Sequence, residues 1–592
     1  MIEEFIPSMI WLLFVSFSLG FALTREKNFM TIAFGLALFC TLSIAFNIIG
    51  IPLNWIVFLA LSVAITIYFI YKKELNFQFT KPDWAIALVL LMAVINMWIF
   101  WTGATAYPYL EDDDPWSHAV GTKWISETGS YSRYFDGTNF SRLYIEPYPP
   151  SFDIVMGVLH QLTTSVTSTL KFYNAFLCGL SIIFAFYTIT ELTGNRRLGL
   201  FSAFFLLALP SFLSHFIWAQ TLAMLFFFAA FYGFEKSIRD KRFIIPTGLA
   251  VGAIAITQPS APAVFILFAG AYLLAKYYAE GKDVIKPIVF ACVIGIAITA
   301  VYYVPVVLKY GPKYTSEGIG LFQGIFDPAS KEDTSGGLVY GVSDYLFVLP
   351  YGKIDQHVGI GLVISLLALA GVYLFYKEIS EGKKQPWMIF SLLWIAIGFL
   401  GTEGNALPFK LFPHRFWVFL SIPVAIIASY AYLAIEHRYQ SYRIIVIALV
   451  LGGVLLTSAL PKFQQQTSTW PPGASFYSAE ELQGYEQMES SLPKNTLVFP
   501  LCSMDSKVIG SDMLSEPYVP EYEIFKRTAV NKTPEEVYSF ISKRGYKYLI
   551  IDSTCINVLG LEEANNVLAD YQSSEKYRNV YNTSGFFLLQ VK

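Results

Sequence analysis

Four adjacent carboxylates, Glu111, Asp112, Asp113 and Asp114, precede Pro115-Trp116. At that spacing they repel one another unless a divalent cation, a basic side chain or a proton held on one of them offsets the charge. Weighed equally on the cluster alone is a plainer reading, a solvated acidic helix cap or a topogenic flank. His215, in Ser211-Phe212-Leu213-Ser214-His215-Phe216-Ile217-Trp218, offers a neutral ligand or a base. A lone histidine at a helix end is nevertheless more often simply hydrogen-bonded in place. Arg415, in Phe412-Pro413-His414-Arg415-Phe416-Trp417, brings a planar guanidinium that pairs an oxyanion through two hydrogen bonds. Its structural alternative is an interfacial arginine snorkelling at a helix end. The five cysteines fall in no metal-ligand spacing. Cys502 and Cys555 each follow a strand-like run, so parallel neighbouring strands would set them side by side, as a disulfide or equally as two buried thiols. Asn139, Asn531 and Asn582 open glycosylation triplets.

The elements that must position these residues are membrane helices. Of 592 residues 55% are hydrophobic and only 14% charged, against about 25% charged in soluble domains. That excludes a soluble enzyme, a disordered chain and a disulfide scaffold. A net charge of −3 leaves no basic footprint for nucleic acid. Apolar segments near 6–23, 29–49, 52–71, 84–103, 170–193, 198–213, 219–234, 244–257, 261–280, 287–308, 357–376, 386–402, 415–435 and 443–460 predict about fourteen spans. Lys and Arg occupy alternate loops, and placing all of these at the cytoplasmic side satisfies the positive-inside rule. The N-terminus, loops 104–169 and 309–356, residues 403–414 and everything after Leu460 then face outward. Phe152 to Leu162 reads as a re-entrant or interfacial helix. The tail from about Phe463 has soluble composition. Strand-like runs at Thr496–Leu501, Tyr548–Asp552 and Phe586–Val591, and a capping box at Thr533-Pro534-Glu535-Glu536, predict a small α/β domain there. The fold class expected is therefore mainly α, a polytopic helical protein with a small C-terminal α/β domain. Its parts are three extra N-terminal helices (1–83), a main membrane domain (84–462) and the outer domain (463–592).

From Tyr109 to about Arg242 the chain resembles the catalytic subunit of oligosaccharyltransferase and the wider glycosyltransferase-C superfamily. The residues that carry the likeness are Asp114-Pro115-Trp116, the helix through Trp124, Gly129-Ser130-Tyr131, Phe135-Asp136 and Tyr148-Pro149-Pro150. Glu191-Leu192-Thr193-Gly194-Asn195-Arg196 and Leu209-Pro210 extend it, and the segment around Arg415 looks like the superfamily's late arginine that faces the lipid phosphate. Two departures stand against the oligosaccharyltransferase itself. No carboxylate follows Pro210 where that enzyme carries its second acidic motif. Its sequon-reading Trp-Trp-Asp-Tyr-Gly is also absent, the nearest segment being Phe499-Pro500-Leu501-Cys502-Ser503-Met504-Asp505.

The resemblance implies a transferase, inverting, that moves a sugar from a polyprenyl- or dolichyl-phosphate-linked donor to a protein or glycan acceptor on the outer side. Asp114, with Asp113 as second choice, is carried over as base or metal ligand; Arg415 is carried over to the donor phosphate, with His414 and Lys410 assisting. Asp112, Glu317 and His215 are further candidate contacts, and a loop acid such as Glu317 is on general grounds more often merely solvated. The missing acidic ligands favour a metal-independent reaction over one using Mg²⁺ or Mn²⁺. A lipid-linked sugar transporter or flippase is the rival class, but its ionisable groups belong near the membrane midplane, whereas here they gather in outer loops. A non-catalytic relative serving as a subunit is the third reading. An archaeal or bacterial plasma membrane is the expected location.

Overall fold

The computed structural model describes residues 2–75, 83–132, 145–319, 339–348, 358–406, 413–470 and 476–592, without the side chains of Ile2, Asp113 and 313–319. The chain forms two compact units. The first comprises Met1–Ile51, Trp55–Ala106 and Lys171–Trp470, the second Pro52–Asn54, Tyr107–Leu170 and Pro471–Lys592. The outer loop expected at 104–169 thus belongs almost wholly to the same unit as the C-terminal domain.

In the first unit every apolar segment read from the sequence carries a helix over most of its described residues. Among the described residues ten helices are long and apolar enough to cross a membrane, from Glu3–Thr24 to Gln440–Thr467, and the protein is integral to one. Four of the fourteen expected spans are shorter: Trp55–Tyr71 and Pro386–Thr402 have 17 residues, Arg196–Ala208 has 13 and Ile244–Ala255 has 12. Leu209-Pro210 explains one of these, because proline withholds an N–H and disfavours helical backbone in the residue before it. The chain then runs without regular helix from 209 to 219, buried throughout. Irregular backbone at membrane depth is tolerated only inside protein or along a wet cavity.

The last span exceeds the expected 443–460, continuing to Thr467 through a π turn at Leu455–Ala459. Pro461 lies in the first turn of the Leu460–Thr467 helix, directly after that π turn. The looser π spacing just before it accommodates the missing donor.

In the second unit four strands, β1 (Val498–Pro500), β2 (Tyr548–Asp552), β3 (Tyr577–Thr583) and β4 (Phe586–Val591), form one sheet in the order β1-β2-β4-β3. β1 and β2 are parallel, and the other pairs are antiparallel. Phe499, Tyr522, Ile541, Tyr546 and Leu549 anchor its core. The expected capping box is present: Thr533 N–H donates to Glu536 Oε2 at 2.9 Å, and Glu536 N–H donates to the Thr533 hydroxyl. Cys502 and Cys555, past the ends of the parallel strands, are joined as a disulfide across a Cα–Cα distance of 5.1 Å.

Candidate functional site

In the membrane unit the candidate groups gather where three helices begin. Arg415 is the third residue of the Pro413–Arg438 helix. Its carbonyl accepts a hydrogen bond from the Gln220 amide at 3.3 Å, and Gln220 opens the Gln220–Arg239 helix. Its guanidinium donates to the Ser260 hydroxyl at 2.5 Å, and Ser260 caps the Ala261–Glu280 helix. The Ser260 hydroxyl donates to Gln258 Oε1 at 3.1 Å. A helix N-terminus carries partial positive charge, and it is joined here by a guanidinium that the dipole of its own helix disfavours. Three such termini linked through one arginine make a place whose electrostatics call for an anion.

His414 stacks on Trp218 with ring centroids 6.4 Å apart. Trp218 and His215 both lie on the buried irregular segment 209–219, which is laced into the bundle. His215 N–H donates to the Gln466 side chain at 3.2 Å, and its ring lies 4.1 Å from that of Trp470. The Asn174 amide donates to the carbonyls of His215 and Phe216. Gly103 is required at this crossing: a Cβ there would stand 1.7 Å from the Gln466 carbonyl oxygen and 2.7 Å from His215 Nδ1.

Two residues beyond Ser260 the wall of an apolar cavity begins. It has a volume of about 760 Å³ and lies among the helices Ile244–Ala255, Ala261–Glu280 and Ile285–Ile319, with Val251, Pro262, Phe265, Gly270, Ile296 and Tyr303 in its lining. The lining runs from Cys292 to Val307 on the third of these helices, a rise of about 22 Å, and reaches Pro312 beyond the break at Gly311.

Sequence reasoning did not find Lys462. The last span ends at 460 in the sequence reading, which puts Lys462 in water. In the longer helix it is fully buried and donates to Asn96 Oδ1 at 3.3 Å, while the Asn96 amide donates to the Cys178 carbonyl at 2.8 Å. Asn96 within an apolar span was the one available signal of a polar partner there.

In the second unit the acidic run begins a helix. Asp112 is the N-cap of the Asp113–Thr128 helix, so Asp113 and Asp114 lie in its first turn, where the dipole favours carboxylates. Asp114 is half-buried and Glu111 buried. Trp116 is fully buried against Gly510. One turn beyond Asp114, His118 Nδ1 lies 2.7 Å from Asp153 Oδ1, and both side chains are buried. Sequence reasoning missed this pair, whose members are 35 residues apart. Nearby, Lys507 Nζ meets Glu481 Oε1 at 2.8 Å, and Tyr109 donates to Glu489 at 2.6 Å. Burial pushes the Glu481 and Glu489 carboxyls upward.

The side chains of Asp113 and Glu317, and the whole of Lys410, lie outside the described residues. Among those that are described, no group of three or more His, Cys, Asp or Glu side chains is placed to hold a metal ion. No step below is routed through Mg²⁺ or Mn²⁺.

The architecture is a mainly α, polytopic membrane fold of the glycosyltransferase-C type with a small C-terminal sheet. The crystal structure of ArnT from Cupriavidus metallidurans bound to undecaprenyl phosphate shares it, with a TM-score of 0.51 at 12% identity over 85% of this chain and 98% of that one. The apo structure of the same protein gives 0.50 at 13% identity, over 86% and 98%. Residues 28–499 match the model of a family of unknown function, DUF6541, and the chain belongs to that family. No curated protein matches it.

Proposed function

We propose that this protein is a membrane glycosyltransferase that moves a sugar from a polyprenyl-phosphate-linked donor to an acceptor on the extracytoplasmic side. The observation that carries this reading is the junction of three helix N-termini at Arg415, with an apolar cavity beginning two residues from Ser260. A cationic junction with an apolar cavity that begins on the adjoining helix matches the chemistry of a lipid phosphate. The fold shared with a protein crystallised with undecaprenyl phosphate supports the same class of ligand.

The reaction is an inverting displacement. The acceptor heteroatom attacks the anomeric carbon, the bond from that carbon to the phosphate oxygen breaks, and polyprenyl phosphate departs. Arg415 offsets the charge that develops on the departing phosphate, with His414 beside it. Asp114 takes the proton from the acceptor.

Asp114→Asn is expected to lower turnover by about 100-fold or more, with membrane insertion and the gel-filtration profile unchanged. Arg415→Ala should raise the half-saturating donor concentration by about tenfold or more and leave that for acceptor within about twofold. The assay uses purified protein and a panel of polyprenyl-phosphate sugars, with and without chelator, and turnover is expected to survive chelation. Retained activity in Asp114→Asn, or equal effects of Arg415→Ala on donor and acceptor, would overturn the assignment. Donor binding without turnover on any sugar would favour a non-catalytic subunit.

A further inference from the structure

Asp114 begins a helical face that continues into a buried imidazole–carboxylate pair. Residues four apart on a helix stand on the same face with Cβ atoms about 5–6 Å apart, so His118 lies one turn inward from Asp114 on the Asp113–Thr128 helix. Asp153, from the Ser151–His160 helix packed against it, meets His118 Nδ1 at 2.7 Å. Each of the two side chains is only 1% exposed. The Phe152 and Tyr148 rings flank the imidazole, with centroids at 4.6 and 5.8 Å.

A buried carboxylate that served packing alone would be satisfied at both oxygens, since leaving one bare is costly. Asp153 Oδ2 is buried with no hydrogen-bond partner among the described residues. Burial pushes the Asp153 carboxyl up, while the imidazole beside it draws it down. With the Asp153 carboxylate accepting from Nδ1–H, the histidine tautomer is set and Nε2 is the nitrogen that gains and loses a proton. Several described ionisable groups lie on the elements around the pair. The helix of His118 carries Asp114, Lys123 and Glu127, the Ser151–His160 helix carries the buried His160, and the segment before that helix carries the buried Glu146 and Tyr148. The Asp505–Gly510 helix, packed on the same face as Trp116, carries Asp505 and the buried Lys507, which is paired with Glu481.

We propose that His118 and Asp153 form the proton exit of the reaction, accepting at His118 the proton that Asp114 takes from the acceptor. This rests on Asp114 as the base. In each turnover the acceptor's proton passes to the Asp114 carboxylate and then to His118 Nε2, giving an imidazolium beside the Asp153 carboxylate. Loss of that proton to water returns both groups to their starting state, so nothing is oxidised and no co-reactant is consumed. His118 and Asp153 are positioning residues; neither touches the sugar.

The test measures kcat, KM for donor and acceptor, and the pH profile of kcat in the full-length protein and in His118→Gln and Asp153→Asn. NMR of labelled histidine follows the His118 titration without needing turnover. A relay that must accept a proton fails when His118 is already protonated, so the wild-type kcat should fall on the acid side as His118 titrates. His118→Gln should lower kcat about tenfold or more, keep both KM values within about twofold, and abolish that acid limb. Asp153→Asn removes the neighbouring negative charge, so both the limb and the NMR titration of His118 should move to lower pH. A merely structural pair would instead lower the yield of folded protein and leave the acid limb in place. Wild-type kcat in His118→Gln, an unmoved limb in both variants, or a His118 titration indifferent to Asp153→Asn would each overturn the relay. Full turnover in Asp114→Asn would sink the catalytic reading instead, and the two failures are read from different variants.

Discussion

At Arg415 a single side chain links elements that are distant in sequence, since its partners Gln220 and Ser260 lie 195 and 155 residues away. Its type and its place at a helix start were legible in the sequence, but the hydroxyl it would share with a phosphate was not. Removing that hydroxyl while keeping the charge should have a smaller effect than removing the charge. Ser260→Ala is accordingly expected to weaken donor binding by about 3–10-fold, measured by titration with a polyprenyl phosphate, and less than Arg415→Ala.

His160 yields a second prediction at this scale. Burial, with Lys123 adding to it, holds its pKa down to about 4. The unfolded state, with a histidine near 6.5, binds the extra proton first. The contribution to stability is therefore complete above pH 6.5 and is lost as pH falls toward 4, by about 3 kcal/mol. Denaturant melts of the full-length protein should show this loss, and His160→Gln should flatten it.

Among the elements, the Asp113–Thr128 helix shows most directly how sequence and packing share the work. Its acidic start and Pro115-Trp116 could be read from the chain, and Asp112 stands at the N-cap position of the helix, but Glu111 is buried and not solvated. Where Trp116 goes could not be read, because its pocket is made by the absence of a side chain at Gly510. A Cβ there would stand 1.9 Å from the indole. Gly510→Ala should therefore destabilise the second unit by about 1–3 kcal/mol despite the gain in helix propensity, observable as earlier limited proteolysis of the C-terminal domain.

The strands divide in the same way. β1, β2 and β4 carry buried apolar runs and were found. β3, Tyr-Arg-Asn-Val-Tyr-Asn-Thr, is largely exposed at the sheet edge and carries no apolar signal beyond pairing with β4. The parallel pairing of β1 with β2 brings Cys502 and Cys555 side by side, and they are bonded as a disulfide. Its 53-residue loop gives an entropic contribution of about 4 kcal/mol, so Cys502→Ser or added reductant should lower the denaturation midpoint of this unit.

On the scale of the whole molecule, a membrane bundle that shares the ArnT fold carries an apolar cavity of about 760 Å³. Gly270 lines it and has no neighbouring atom within 4 Å of where a Cβ would stand. Gly270→Phe should therefore fill the cavity without strain. It should weaken binding of long-chain polyprenyl phosphates by about tenfold or more, as expected for losing burial of two or more methylenes, and leave a short-chain phosphate nearly unaffected.

Much of this architecture was present in the chain before any packing. Hydrophobic run length, proline position and the distribution of Lys and Arg specify which segments enter a bilayer, because a spanning helix satisfies its own backbone and its cost or gain is set locally, residue by residue. The sequence by itself therefore determined a polytopic helical protein with a small α/β tail, and its resemblance to a known superfamily singled out Asp114 and Arg415 as candidates. It could not determine the partners of those residues, the burial of Lys462, or the meeting of His118 with Asp153. Each of these depends on which helix faces cross, and apolar faces look alike to a lipid-soluble sequence. Only close packing, with glycines at the crossings and irregular buried backbone between short helices, decided which polar groups came together.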